Sequence, residues 1–328
     1  MSAPRVVYID SRPGGSDIER DVLKRRGIEL VLGRCTTDDE VVELAAGAPA
    51  ILNTMYWMGP TLFERLPDLR VVVRGGVGFD NIDVDAATRA GVIVCNVSDY
   101  GSQEVANHAF ALLLALNRKI VPLDRAIHEG TFVPADRAMP HTGRISGQTL
   151  GLLSLGTIAR EVAKRAHGFD MEVVAFDPYV DPGAARALGV ELVDLPDLLR
   201  RSDYVSIHTP LSADTRGLIG ATELAYMKPS AYLVLTSRGG LVDEDALAAA
   251  LRESRIAGAG IDVWSAEPPP PDHPLLQLDN VIGTMHMAWY SEVSTVILRT
   301  RFAETAADVL EGIIPPTVVN PEVLRLRR

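Results

Sequence analysis

The chain has 328 residues, 47% hydrophobic and 23% charged, the balance of an ordinary soluble protein and a length suited to two domains rather than one core. Its two cysteines, Cys35 and Cys95, fall in no CxxC or Cys/His ligand pattern, so neither a metal centre nor a disulfide staple is expected and a reduced, cytoplasmic setting is the default. The formal net charge of −11 argues against nucleic-acid binding through phosphate neutralisation.

In chain order, Met1–Arg5 leads directly into the apolar run Val6–Ile9, without the pattern of a secretory leader. Arg5–Asp10 reads as a strand, Asp17–Arg26 as a helix, and Glu29–Leu32, Ala50–Met55, Val71–Arg74 and Val92–Val97 as further strands. These runs are apolar without alternation, as in parallel strands buried on both faces. Gln103–Ile120 follows as a long Ala- and Leu-rich helix, apolar nearly all round and expected to be buried between domains or subunits. Its most apolar stretch, Ala109–Leu116, is too short to span a membrane.

A second series begins at Thr149. Strands are expected at Leu150–Leu155, Val173–Phe176, Tyr204–His208, Tyr232–Leu235, Gly258–Val263 and Val281–Thr284, with a helix at Ile158–His167. Ser291–Gly312 reads as a long helix near the C-terminus, and Pro268–Pro271 as a rigid loop. Two βα series imply two α/β domains.

The turn Ser154-Leu155-Gly156-Thr157-Ile158-Ala159 lies between a strand and a helix, where a dinucleotide-binding unit has G-x-G-x-x-G. Gly156 keeps the glycine that lets backbone approach a pyrophosphate, and Ala159 is an accepted substitute at the close-packing position. Ser154 departs from the pattern. Asp177 ends the next strand about 20 residues on, where an acid binds ribose hydroxyls and repels a 2′-phosphate; this favours NAD over NADP. Both features have plainer readings, a strand–helix turn and an Asp before Pro178.

Three segments place polar residues directly after apolar strands: Thr236-Ser237-Arg238, Ser265-Ala266-Glu267 and Thr284-Met285-His286. Taken singly, Arg238 could cap a helix or pair with Asp243, Glu267 could be a solvated loop acid, and His286 a structural histidine. As a group they suit 2-keto acid reduction. His286 would donate the proton, Glu267 would hold its ring and stabilise the imidazolium, and Arg238 would clamp carboxylate and keto oxygen. Arg74-Gly75-Gly76-Val77-Gly78 offers glycines after a strand, either a sharp turn or a cradle for a carboxylate.

With Gly76–Asp83, Val105–His108, Gly151–Ala159, Arg238–Leu247 and Asp262–Pro268, nearly the whole chain resembles the D-isomer-specific 2-hydroxyacid dehydrogenases. Val73-Arg74, Phe79–Asp83 and His286–Glu292 look closest to the C-terminal-binding-protein branch. The resemblance implies two Rossmann-like domains, with an NAD-binding domain at 101–290 inserted into a split, flavodoxin-like substrate domain at 1–100 and 291–328. It implies Arg238, Glu267 and His286 as the catalytic group. Cofactor contacts are expected from Ser154, Gly156, Thr157, Ile158, Asp177, Thr209, Pro210, Thr215, Thr236, Asp262, His286 and Ala288. Substrate contacts are expected from Arg74, Gly76, Val77, Gly78, Arg238 and Trp289, with no metal. Arg74 would add a second cation for an extra anionic group on the substrate.

The resemblance also implies a homodimer, with the Gln103–Ile120 helix at its interface. The family commonly has Gly at the position of Ser154, Glu at Asn107, Asn at Leu235 and Pro at Met285. The leading expectation is an NAD-dependent oxidoreductase interconverting 2-hydroxy and 2-keto acids, with a small anionic substrate and no nucleic-acid or membrane partner. The alternatives are an NAD(H)-sensing, corepressor-like binding protein, or a dehydrogenase of an unusual acid such as a phosphonate.

Overall fold

The computed structural model describes residues 3–11, 15–132, 134 and 142–326. The chain divides into two units, Met1–Gly101 with Ser291–Arg328, and Ser102–Tyr290.

In the first unit the strands are β1 (Arg5–Tyr8), β2 (Glu29–Leu32), β3 (Ala50–Asn53), β4 (Val71–Arg74) and β5 (Ile93–Cys95). They pair in parallel in the order β2-β1-β3-β4-β5, a flavodoxin-like arrangement. Val7, Ile51, Val72 and Val94 share one buried cluster with Leu62 and Phe63 from the short Pro60–Arg65 helix. Helix Asp38–Ala45, which no apolar periodicity announced, starts at a capping box: Thr37 accepts from the Glu40 N–H while Glu40 accepts from the Thr37 N–H.

Helix Glu292–Leu310 returns to this unit and packs on β3 and β4. Its Phe302 stands edge-on to Tyr8, with ring centroids 5.4 Å apart, and fills the space where a side chain at Gly75 would go. Its Arg299 donates to both oxygens of the buried Glu19 carboxylate. The segment after it closes the open side of β5. Val319 N–H donates to Val94 O, and Asn96 N–H donates to Thr317 O. The fully buried Asn320 side chain accepts from Val94 N–H and donates to Val92 O.

The second unit carries β6 (Thr149–Leu153), β7 (Glu172–Phe176), β8 (Glu191–Leu192), β9 (Tyr204–Ile207), β10 (Tyr232–Leu235), β11 (Gly258–Ile261) and β12 (Val281–Gly283). All pair in parallel in the order β12-β11-β10-β9-β6-β7-β8. The order reverses between β6 and β9, and a doubly wound sheet opens its ligand crevice at the carboxyl ends on either side of such a reversal.

The observed Ser102–Arg118 helix buries its apolar stripe (Ala106, Ala109, Phe110, Leu112, Leu113 and Leu116) against the sheet of its own unit. Gly260 makes this possible: a Cβ there would meet Leu112 at 2.9 Å. The helix also stops earlier than its composition suggests. Lys119 adopts φ 54°, and a separate helix, Ile120–His128, starts after it.

Candidate active site

The turn after β6 has the geometry of an anion site. Gly156 is the N-cap of helix Thr157–Gly168 and no side chain caps that end. The place of a Gly156 Cβ is open, with only Ser154 Oγ within 4 Å, so backbone there is accessible to a pyrophosphate. Ser154 itself has φ 76°, the left-handed conformation that explains why glycine is usual at its position. Asp177, after β7, accepts from Leu155 N–H at 2.8 Å and Tyr179 N–H at 2.9 Å, and more distantly from Ser154 Oγ at 3.4 Å. That fixes an acid beside the turn, as ribose binding requires. Thr236 Oγ1 and Ser237 Oγ, after β10, are buried without hydrogen-bond partners in the protein. Uncapped helix, fixed acid and unsatisfied hydroxyls together fit a dinucleotide.

The other expected cofactor residues occupy the same carboxyl edge of the sheet. Thr209 and Pro210 follow β9, Asp262 follows β11, and His286 and Ala288 follow β12. Two of them already serve the protein. Thr215 donates its hydroxyl to Pro210 O at 2.7 Å, shaping that loop. Asp262 is fully buried, and its carboxylate accepts from Thr284 Oγ1, Met287 N–H and Ala288 N–H. Its carbonyl accepts from His286 N–H at 2.7 Å. Asp262 therefore holds the loop that carries His286, whose own φ is 56°.

The catalytic candidates converge. His286 Nδ1 lies 2.7 Å from Glu267 Oε2, and Trp264 N–H donates to Glu267 Oε1 at 3.1 Å. An ionised carboxylate only accepts, so Nδ1 carries the proton and Nε2 is the nitrogen left for a substrate. Burial pushes the Glu267 carboxyl up. The bonds from His286 and Trp264, with the charges of His286 and Arg238, more than offset this and leave it below its ordinary value. The turn that carries Arg238 reaches the same loop through Gly239. A Cβ on Gly239 would run into the Trp264–Ser265 backbone, so the Arg238 turn sits directly on the Glu267 loop. Asp243 caps the next helix, accepting from Ala246 N–H at 3.0 Å. His208, after β9, is pushed down to about 4 by burial and is neutral at neutral pH.

Within the first unit, Arg74 ends β4 and its Nη1 donates to Gly75 O at 3.2 Å. Gly76 has φ 152°, and a Cβ there would collide with the Arg74 guanidinium. The Gly76 and Val77 carbonyls are taken by Val97 N–H and Asn96 Nδ2. A loop with its carbonyls so committed suits an anion better than a cation.

Residues 110–288 match the family described as D-isomer specific 2-hydroxyacid dehydrogenase, NAD binding domain. The chain belongs to that family. It is 44% identical over 271 residues to a glyoxylate reductase of Korarchaeum cryptofilum, covering 81% of this chain and 80% of the relative. It is 42% identical over 260 residues to a D-3-phosphoglycerate dehydrogenase of Methanocaldococcus jannaschii, covering 79% of this chain. It spans only about half (49%) of that longer relative. A solved 2-hydroxyacid dehydrogenase from Lactobacillus delbrueckii, complexed with NAD, superposes with a TM-score of 0.80 at 26% identity, covering 96% of this chain and 100% of that one.

Two residues that sequence reasoning did not select tie these loops together. Trp264 links β11 to β12, its indole donating to Thr284 O at 3.0 Å, and His108 lies 3.0 Å from Thr284 Oγ1. Both stood inside segments that carry the family resemblance, Val105–His108 and Asp262–Pro268, and only the fold shows what they hold. Among the described residues no helix is long and apolar enough to cross a membrane, and no cluster of three or more His, Cys, Asp or Glu is placed for a metal ion.

Ser154→Gly removes a left-handed Cβ penalty of roughly 1 kcal/mol. Urea unfolding should show a stability gain of that order. A loss instead would mean that the long Ser154–Asp177 bond outweighs the strain.

Proposed function

We propose that the protein interconverts a small 2-keto acid and the corresponding 2-hydroxy acid, with NAD as the hydride carrier. His286 Nε2 gives the proton to the carbonyl oxygen in reduction and takes it in oxidation. Glu267 fixes the ring and its tautomer and balances the imidazolium charge. Arg238 binds the carboxylate and polarises the carbonyl as negative charge develops. The observation that carries this reading is the 2.7 Å Glu267–His286 bond, with the Arg238 turn packed through Gly239 on the loop that carries Glu267.

Gly76, Val77 and Gly78 are assigned to a substrate carboxylate, and Trp289 to substrate packing. Arg74 is assigned to a second anionic group. The reductase and phosphoglycerate dehydrogenase relatives make short keto acids, with or without a phosphate, the first to try; phosphonate analogues test the same cation. Arg74 and Trp289 are also what suggested the C-terminal-binding-protein branch. An NAD(H)-sensing protein without turnover is the rival reading, and the intact Arg238, Glu267 and His286 set favours catalysis over it.

We also propose a homodimer. The Ile120–His128 helix buries none of its residues, and Ile120, Val121, Leu123 and Ile127 all stand exposed on it. An apolar face of this kind is ordinarily covered.

Loss of NADH absorbance should reveal turnover of at least one acid in a panel of glyoxylate, hydroxypyruvate, its 3-phosphate, pyruvate and phosphonate analogues. His286→Ala should lower that rate about a hundredfold to ten-thousandfold, leaving NADH affinity within about twofold. Tight NADH binding with no turnover of any acid would favour the sensor. Arg74→Ala should raise KM selectively for acids with a second anionic group; an equal rise for pyruvate would rule out the assignment. Light scattering should give twice the chain mass, and Leu123→Asp with Ile127→Asp should halve it. A wild-type monomer at micromolar concentration would exclude the dimer.

A further inference from the structure

Two ionisable side chains beside the catalytic loop are left over by this chemistry. Glu244 opens helix Glu244–Arg252, directly after the capping Asp243. Its Oε1 accepts from Ser265 N–H at 2.8 Å, and its Oε2 lies 3.2 Å from His273 Nε2. Both side chains are largely buried, 15% and 13% exposed. His273 Nδ1 accepts from Leu275 N–H at 3.3 Å, so both ring nitrogens are engaged and the pair is not a proton relay. The His273 ring stands edge-on to Trp264, centroids 5.5 Å apart at 77°. Trp264 is the residue whose N–H holds Glu267.

We infer that Glu244 and His273 are positioning residues, a second carboxylate–histidine pair that clamps the Trp264–Ser265 backbone so that Glu267 meets His286. The clamp acts at two points. Glu244 fixes Ser265 by a charge-assisted bond, and His273 blocks sideways movement of the Trp264 ring, whose other end is tied to Thr284 O. Both clamped residues lie within three positions of Glu267. A shift of this backbone therefore lengthens the Trp264–Glu267 bond and turns the carboxylate away from Nδ1. The kinetic consequence rests on the dehydrogenase reading; the geometric one does not.

His286 and the Trp264 N–H contact Glu267, and the Arg238 charge also lowers its carboxyl. Glu244 and His273 contact Ser265 and Trp264, and Asp262 and His108 join the His286 loop through Thr284. Loss of the Trp264 bond removes one of the influences that hold the Glu267 carboxyl down. Glu267 would then protonate at higher pH, and the dyad would be lost earlier as pH falls.

The test uses full-length Glu244→Ala, His273→Phe and Glu244→Gln. Turnover of NADH with glyoxylate, or the fastest acid of the panel, is followed against pH. The Glu267 carboxyl is titrated by NMR with isotope-labelled glutamate, its signal assigned by its absence in Glu267→Gln. In Glu244→Ala and His273→Phe, kcat should fall roughly tenfold to a hundredfold with little change in KM. The Glu267 midpoint and the acid limb of kcat should both move up. Glu244→Gln keeps an acceptor for Ser265 and should recover most of the rate. A lower Tm with kcat and the Glu267 midpoint unmoved would overturn the inference and leave the pair a plain structural staple. A moved midpoint in a protein whose wild type turns over no acid would leave the clamp standing and sink the dehydrogenase reading.

Discussion

The Asp262 carboxylate has no access to solvent, and a buried charge must find its hydrogen bonds within the protein. Thr284, Met287 and Ala288 supply them, all from one short loop, so satisfying the charge and folding the loop are one event. His286 sits in the middle of that loop at φ 56°, a left-handed conformation uncommon for residues other than glycine. The bonds on either side of it over-determine the backbone. The ring then reaches Glu267, 19 positions earlier in the chain. The His286–Glu267 geometry thus follows from a charge that touches neither side chain.

The second constraint is steric. Strands of a parallel sheet bring every functional loop to one edge, but packing those loops together needs missing side chains. Gly239 lets the Arg238 turn rest on the Trp264–Ser265 backbone, and Gly260 lets the Ser102–Arg118 helix lie close on β11. A side chain at Gly239 would push the Arg238 turn off the Glu267 loop, and one at Gly260 would lift the helix from β11.

Much of this was legible in the chain itself. The β-branched runs located the strands because burial on both faces leaves an unbroken apolar signal. Strand ends were overestimated, as at Val92–Val97 against Ile93–Cys95, because apolar character continues past the last ladder bond. Short helices such as Asp38–Ala45 were missed because their start is a cap, a side-chain event rather than a periodicity. Lys119 hid a helix boundary, since nothing in its chemistry announces a positive φ. Arg238, Glu267 and His286 were selected through the motifs around them, and the structure puts His286 Nδ1 2.7 Å from Glu267. The work of Asp262 in bracketing a loop, and of Glu244 and His273 in holding Trp264, was invisible because it depends on residues distant in sequence. Ser154 was recognised as a departure, and the left-handed turn gives the departure its physical meaning.

The first unit is assembled from two stretches separated by the whole second unit. Phe302 under Tyr8, Arg299 on Glu19 and Asn320 beside Val94 all come from the later stretch. On a ribosome those partners emerge only after the second unit. Until then the first hundred or so residues hold a buried-type glutamate without its cation, an uncovered aromatic face and a strand edge with open ladder groups, all of which invite wrong pairing. The continuous second unit has no such wait. Synthesis thus imposes an order in which the nucleotide-binding half is complete while the other half still lacks its seal.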